Sequence, residues 1–251
     1  MRIVFLVLLL LFMAVPVAPA AEAPLRVGMD IPYPPFVYKD PDGTLAGFDV
    51  DITRALCAVI KRECVIVGEE FDNLVSFVAQ GRLDMVVAGL AVTPERQKLV
   101  DFTERYYRSH SIFVEKAGAE MDASPGGLAG KRVGTQAGTT QEEFLARAYA
   151  KSILVLRPDF ESLMADLKDG NVDVVLVEGL PGFSYLKTPA GSEFEAVGGA
   201  VQDSALSGAF SIAVSKKLPQ LTRALNEAIV TIRSNGEYAK INRKYFDFNI
   251  Y

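Results

Sequence analysis

Apolar positions along the chain come in short unbroken runs, separated by stretches in which they recur every three to four residues. Residues 25–29 (LRVGM), 65–67 and 83–90 read as strands, and 49–60 and 72–80 carry the spacing of amphipathic helices. The order then repeats: a strand at 131–135 (KRVGT), a helix over 140–150, a strand at 153–156, a helix over 160–168 and a strand at 172–177. Strands alternating with helices of this length predict an α/β fold built of βαβ units on a largely parallel sheet. The repeat also holds residue by residue. Phe71, Leu74, Gly81, Leu83 and Asp84 correspond to Phe160, Leu163, Gly170, Val172 and Asp173 at a constant offset of 89. Two α/β lobes of similar topology are therefore expected.

A further strand (206–215) and two helices (219–233 and 238–246) follow the second lobe. A returning strand and helices imply that the chain goes back to the first lobe. The expected division places 21–110 and 207–251 in one lobe and 111–206 in the other. Residues 109–115 form the outward crossing and 205–210 the return. Two crossings make a hinge, and hinged lobes close on what lies between them.

The stretch LDMVVAGLAVTPER, residues 83–96, is the first candidate for chemistry. A buried strand breaks near Gly89, and Thr93, Pro94 and Glu95 read as an N-cap, a first-turn proline and an acidic first turn. Helix-start amides and the Arg96 guanidinium would then face one space, a setting for an anion such as a carboxylate. The alternative is a surface arginine after an ordinary strand-to-helix turn. The 89-residue offset places Glu178 opposite Gly89. Both thus sit at carboxyl ends of strands, where open parallel sheets bind ligands. The loops after the first strands carry Asp30 in one lobe and Gln136 through Thr140 in the other. Asp30, Tyr33 and Phe36 belong to a loop with three prolines (DIPYPPF), which is expected to hold them in set orientations.

Composition adds a compartment. Arg2, an apolar run over residues 3–15 and the small residues Ala18 and Ala20 read as a secretory leader over 1–20, cut after Ala20 with Ala21 or Ala23 as alternatives, and the run is too short to span a bilayer. The remaining chain carries 25 Lys and Arg against 31 Asp and Glu, a formal charge of −6, with its cations dispersed. Nothing in that pattern suggests a nucleic-acid partner. The two cysteines, Cys57 and Cys64, read in an exported chain as a local disulfide, the alternative being two buried thiols. His110, the only histidine, is read as structural, and no metal or cofactor motif is found.

The segments GMDIPYPPF, GFDVDITRAL, GRLDMVVAGLAVTPER, FTERYY, GKRVGTQAGTTQEEF, DGNVDVVLVEG and RKYFDFNIY together resemble the polar amino acid solute-binding proteins of bacterial ABC importers. The resemblance covers essentially the whole chain after the leader. The cysteine spacing and the ending KYFDFNIY look most like the lysine/arginine/ornithine- and histidine-binding branch. It implies a periplasmic type II two-lobed fold, a monomer, no catalysis, and a permease partner in the inner membrane. It also implies an α-carboxylate clamp of Arg96, main-chain amides around Gly89 and Ala91, and the Thr140 amide. Glu178 would pair with the α-ammonium group. Asp30 would reach the ligand side chain, flanked by Tyr33 and Phe71, with Gln136 and Gln141 lining the second lobe. The chain departs from the pattern where the branch has serines and here Ala88, Gly89 and Ala91 stand, and in having Glu rather than Asp at 178.

Lysine, arginine, ornithine or histidine is the expected ligand, with glutamine or another polar amino acid as the alternative. Two further classes are compatible with the pattern. Some relatives on this scaffold are cyclohexadienyl dehydratases, for which Asp30 and Glu178 would supply an acid if either had a raised pKa. A free-standing sensor subunit would hand the closed lobes to a receptor instead of a transporter.

Overall fold

The structure is a computed structural model that describes residues 22–251, so the expected leader and its cleavage site lie outside the described residues. In chain order the elements are β1 (Leu25–Met29), β2 (Tyr38–Lys39), β3 (Leu45–Ala46), α1 (Phe48–Val59), β4 (Cys64–Gly68), α2 (Phe71–Gln80), β5 (Met85–Ala91), α3 (Pro94–Leu99) and β6 (Asp101–Lys116). There follow β7 (Arg132–Gln136), α4 (Thr140–Ala148), β8 (Ile153–Arg157), α5 (Phe160–Asp169), β9 (Val174–Glu178), α6 (Gly179–Leu186), β10 (Phe194–Ala200), β11 (Ser207–Val214), α7 (Pro219–Ser234) and α8 (Glu237–Tyr245). A 3₁₀ turn (Ala190–Glu193) precedes β10.

The strands run β4-β1-β5-β11-β6-β9-β7-β8, with β10 on β6. β1 pairs in parallel with β4 and β5, and β7 in parallel with β8 and β9. The two halves meet in β6. Its first part pairs with β11 from Asp101 to His110, and its second part pairs with β9 from Ser111 to Glu115. Each half-sheet is covered on both faces. In the first lobe α1, α7 and α8 share one core, and Leu74 and Val78 of α2 lead the other. In the second lobe α5 and α4 pack into separate cores.

The 89-residue repeat is visible in the packing. A Cβ at Gly28 on β1 would lie 2.6 Å from Leu83, 2.9 Å from Leu74 and 3.2 Å from Val86. At Gly134 on β7 it would lie 2.7 Å from Leu163 and 3.2 Å from Val172 and Val175, the 89-shifted counterparts. Both positions need glycine for close strand-to-helix approach. The turn before the third strand repeats too. Asp84 accepts from the main-chain N of Arg26 at 2.8 Å and from its guanidinium, and Asp173 accepts from the N of Arg132 at 2.7 Å and from its guanidinium. The arginine beside each holds both carboxyls below the ordinary range, with burial opposing.

The Cys57–Cys64 disulfide is formed and ties α1 to the start of β4. β6 departs from the sequence expectation, and α6 and β10 are elements that the sequence does not place. β6 begins at Asp101, well before the expected crossing strand. α6 forms from GLPGFSYL, where Gly179 and Pro181 suggest a loop; Pro181 lies in the first turn, where a missing N–H is harmless, and Gly182 seats close to Ile112 and Val177. β10 forms at FEAVGGA despite two glycines with positive φ.

Candidate functional site

A small cavity of about 40 Å³ lies between the lobes at the carboxyl ends of β1, β5, β7 and β9. All ten residues singled out as ligand-binding line it: Asp30, Tyr33, Phe71, Ala88, Gly89, Ala91 and Arg96 from the first lobe, and Gln136, Thr140 and Glu178 from the second. Phe160 and Phe210, which sequence reasoning did not single out, complete the apolar wall. Phe160 meets Tyr33 edge to face across the cleft, ring centroids 5.8 Å apart.

Arg96 is half-buried in α3. Its Nη1 donates to the Ala91 carbonyl at 2.8 Å and its Nη2 to the Gly138 carbonyl of the other lobe at 2.9 Å. The guanidinium lies 5.7 Å from the Phe71 ring centroid. Among the described residues no carboxylate pairs with it. Burial lowers its pKa, opposed by Glu143. A guanidinium held by carbonyls and lacking an anion is chemically suited to a carboxylate. The expected helix-start contribution is smaller than the sequence suggested. α3 has only six residues, and the Arg96 amide donates to its own cap, Thr93 Oγ1, at 3.2 Å. The Gly89 amide is also taken, donating to the Tyr106 hydroxyl at 3.0 Å. In the second lobe the start of α4 is better placed: Thr139 caps the Glu142 amide, while the first-turn amides of Thr140 and Gln141 have no intrahelical acceptor.

The two acids occupy different surroundings. Asp30 accepts from Gln136 Nε2 at 2.7 Å across the cleft. Burial raises its pKa to about 7, opposed by that hydrogen bond and assisted by Asp159 and Glu70. Glu178 accepts from the Tyr107 hydroxyl at 3.1 Å through Oε2, and its buried Oε1 has no partner among the described residues. Burial raises Glu178 to about 8, against hydrogen bonds from Ser109 and Tyr107. A buried carboxyl with an unpaired oxygen is a costly arrangement that a cation relieves. Raised acids would serve proton donation equally, so acidity alone does not separate cation capture from a dehydratase.

Tyr106 and Tyr107 are not among the residues that the sequence singles out. The register explains why they matter: Tyr107 pairs with Phe210 and Arg105 with Ser211, so Tyr106 is the extra residue of a bulge. Consecutive residues of a regular strand face opposite ways, yet here both rings are buried and both hydroxyls approach Gly89. His110 packs against Gly179 and Phe183, away from the cavity wall.

Fold and site define a two-lobed solute-binding protein with its cavity at the inter-lobe cleft. The chain belongs to the bacterial extracellular solute-binding proteins, family 3, which match residues 25–248. It is 37% identical over 236 residues to the L-arginine-binding protein of Pseudomonas aeruginosa, covering 92% of this chain and 91% of that one. It is 33% identical over 231 residues to the histidine-binding periplasmic protein of Salmonella typhimurium, covering 90% and 89%. Among solved structures, an ancestral arginine-binding protein bound to arginine superposes with a TM-score of 0.83 at 31% identity, covering 90% of this chain and 99% of that one. Membership of this family makes the chain a solute-binding protein, and these relatives are named as binding proteins.

Proposed function

We propose that the protein captures a cationic amino acid, arginine before lysine, ornithine or histidine, in the inter-lobe cavity and delivers it in the periplasm to the permease of an ABC importer. The observation that carries this reading is the charge layout of one cavity. Arg96, held by two carbonyls, offers a carboxylate site, Glu178 an ammonium site, and Asp30 with Tyr33 and Phe71 a site for a second cation. Rings flanking an acid suit a guanidinium or ammonium side chain. The arginine- and histidine-binding relatives support the same class of ligand. The returning segment 207–251 and the leader at 1–20 fit an exported, hinged receptor.

A second reading, glutamine as ligand, is favoured by one contact. Asp30 already accepts from a primary amide, that of Gln136, at 2.7 Å. A thermal-shift panel of the standard amino acids and ornithine on refolded, ligand-stripped protein separates the two, since a ligand that binds only the folded state raises its melting temperature. The cationic reading expects the largest shifts from arginine, lysine, ornithine or histidine, and expects Asp30→Asn to weaken these selectively. Equal losses for cationic and neutral amino acids in Asp30→Asn would remove the side-chain role. No shift with any amino acid would remove the amino-acid reading.

A further inference from the structure

Gly89 sits at the end of β5 with φ +57, a left-handed conformation. A Cβ built there would stand 2.4 Å from the Tyr107 hydroxyl oxygen, 3.4 Å from Glu178 Oε2 and 3.6 Å from Tyr107 Cζ. The hydroxyl thus fills the space of a side chain at position 89, whereas the ring beneath it would be in ordinary contact. Tyr107 is fully buried, and its ring is stacked on Phe210 with centroids 4.8 Å apart and planes 6° from parallel. The hydroxyl is fixed in place and donates to Glu178 Oε2 at 3.1 Å. The other Glu178 oxygen, Oε1, is buried and has no partner among the described residues, and Glu178 lines the cavity.

Resting on the amino-acid reading above, we infer that Tyr107 is a positioning residue for ammonium capture. Its hydroxyl, admitted by the missing side chain of Gly89, holds Oε2 of Glu178 and leaves Oε1 as the single acceptor for a primary ammonium group. Glu178 carries one methylene more than aspartate, and with it one more rotatable bond. The Tyr107 hydroxyl removes that freedom, and without it the carboxylate would lose both its orientation and a donor that stabilises its ionised form. The titratable or charged groups facing Glu178 are Tyr107 and Tyr106 on β6, Tyr33 in the proline-rich loop, Asp49 on α1, His110 against Gly179 and Arg96 on the cavity wall. Of these, the Tyr107 hydroxyl donates to the carboxylate, and nearby Ser109 also favours its ionised form.

The test is a double-mutant cycle of Gly89→Ala and Tyr107→Phe, read by calorimetric titration with L-arginine and by melting temperature. Gly89→Ala alone should weaken arginine binding by more than about tenfold, because the hydroxyl must move. Tyr107→Phe keeps the ring and should weaken binding by about tenfold. In the double variant the 2.4 Å clash is gone and the added methyl meets only Glu178 Oε2 at 3.4 Å and Cζ at 3.6 Å, so it should bind arginine at least about fivefold more tightly than Gly89→Ala alone and melt higher. A pH series separates positioning from packing. Affinity should rise with pH as Glu178 ionises, and in Tyr107→Phe the rise should move to higher pH; Asp30 contributes equally to both curves. Additive losses in the cycle, or parallel pH profiles for wild type and Tyr107→Phe, overturn the positioning role while wild-type arginine binding keeps the amino-acid reading intact. Absence of binding to any amino acid by the wild type overturns both.

Discussion

Gly138 limits how closely the lobes can approach. It lies before α4 with φ +73, its carbonyl accepts from Arg96 of the opposite lobe at 2.9 Å, and a Cβ there would lie 2.5 Å from Asp72 Oδ1 and 2.9 Å from Asp72 Cα. The carboxylate can rotate away, but the α-carbon belongs to the first turn of α2 and cannot. Restoring van der Waals distance in Gly138→Ala therefore requires the lobes to part by about 0.5 Å at the least. An overpacked contact of this kind costs about 1 to 3 kcal/mol, which is roughly 5- to 150-fold in the dissociation constant. The alanine also bears the left-handed strain of about 1 kcal/mol. Gly130 supplies the control, since it has φ +75 in the same lobe and nothing within 4 Å of its Cβ position. Titration calorimetry with the best amino acid from the panel should show Gly138→Ala at least about fivefold weaker than Gly130→Ala, and small-angle scattering should show it less compact at saturating ligand. Equal affinities for the two variants would refute the closure argument.

Arg96→Lys keeps the charge and loses the planar fork, so it should weaken every amino acid alike by about tenfold or more in calorimetry; a loss confined to cationic ligands would contradict the carboxylate role. Folding raises Asp30 from 3.8 to about 7 and Glu178 from 4.5 to about 8. The folded chain then keeps protons that the unfolded chain has lost, so the melting temperature without added amino acid should fall as pH rises from about 5 to about 8. Asp30→Asn/Glu178→Gln should flatten that slope, and an unchanged slope would count against it. Replacing Cys57 and Cys64 by serine opens a loop of sequence separation 7. It should lower unfolding free energy in urea by about 2 to 3 kcal/mol with ligand affinity unchanged.

The repeat was legible because its packing admits few residue sizes. Gly28 and Gly134 face Leu74 and Leu83, and Leu163 and Val172, and a larger residue at either glycine would collide. The repeat pairs the strand ends that carry Gly89 and Glu178, and the resemblance to a known family supplied the rest of the ten residues. What lay beyond reach depended on contacts between distant segments. The start of β6 carries Glu104, Arg105 and Arg108 among its apolar residues, a mixture that only pairing with β11 turns into a strand. α6 is stabilised by the fit of Gly182 against Ile112 and Val177 rather than by propensity. The two tyrosines converge on Gly89 only through a bulge that alternation cannot predict.

The position of β11 also bears on the order in which the protein can assemble. It lies in the interior of the first half-sheet, pairing with β5 through Phe210 and Ala91 and with β6 along its other edge. The second lobe is one continuous stretch of chain, whereas the first cannot fill its sheet until residues more than a hundred positions downstream arrive. During synthesis or translocation, then, the half that emerges first is the half that finishes last. Until β11 inserts, β5 and β6 present open edges that would pair with another chain, which places the greatest risk of aggregation before residues 207–214 are available.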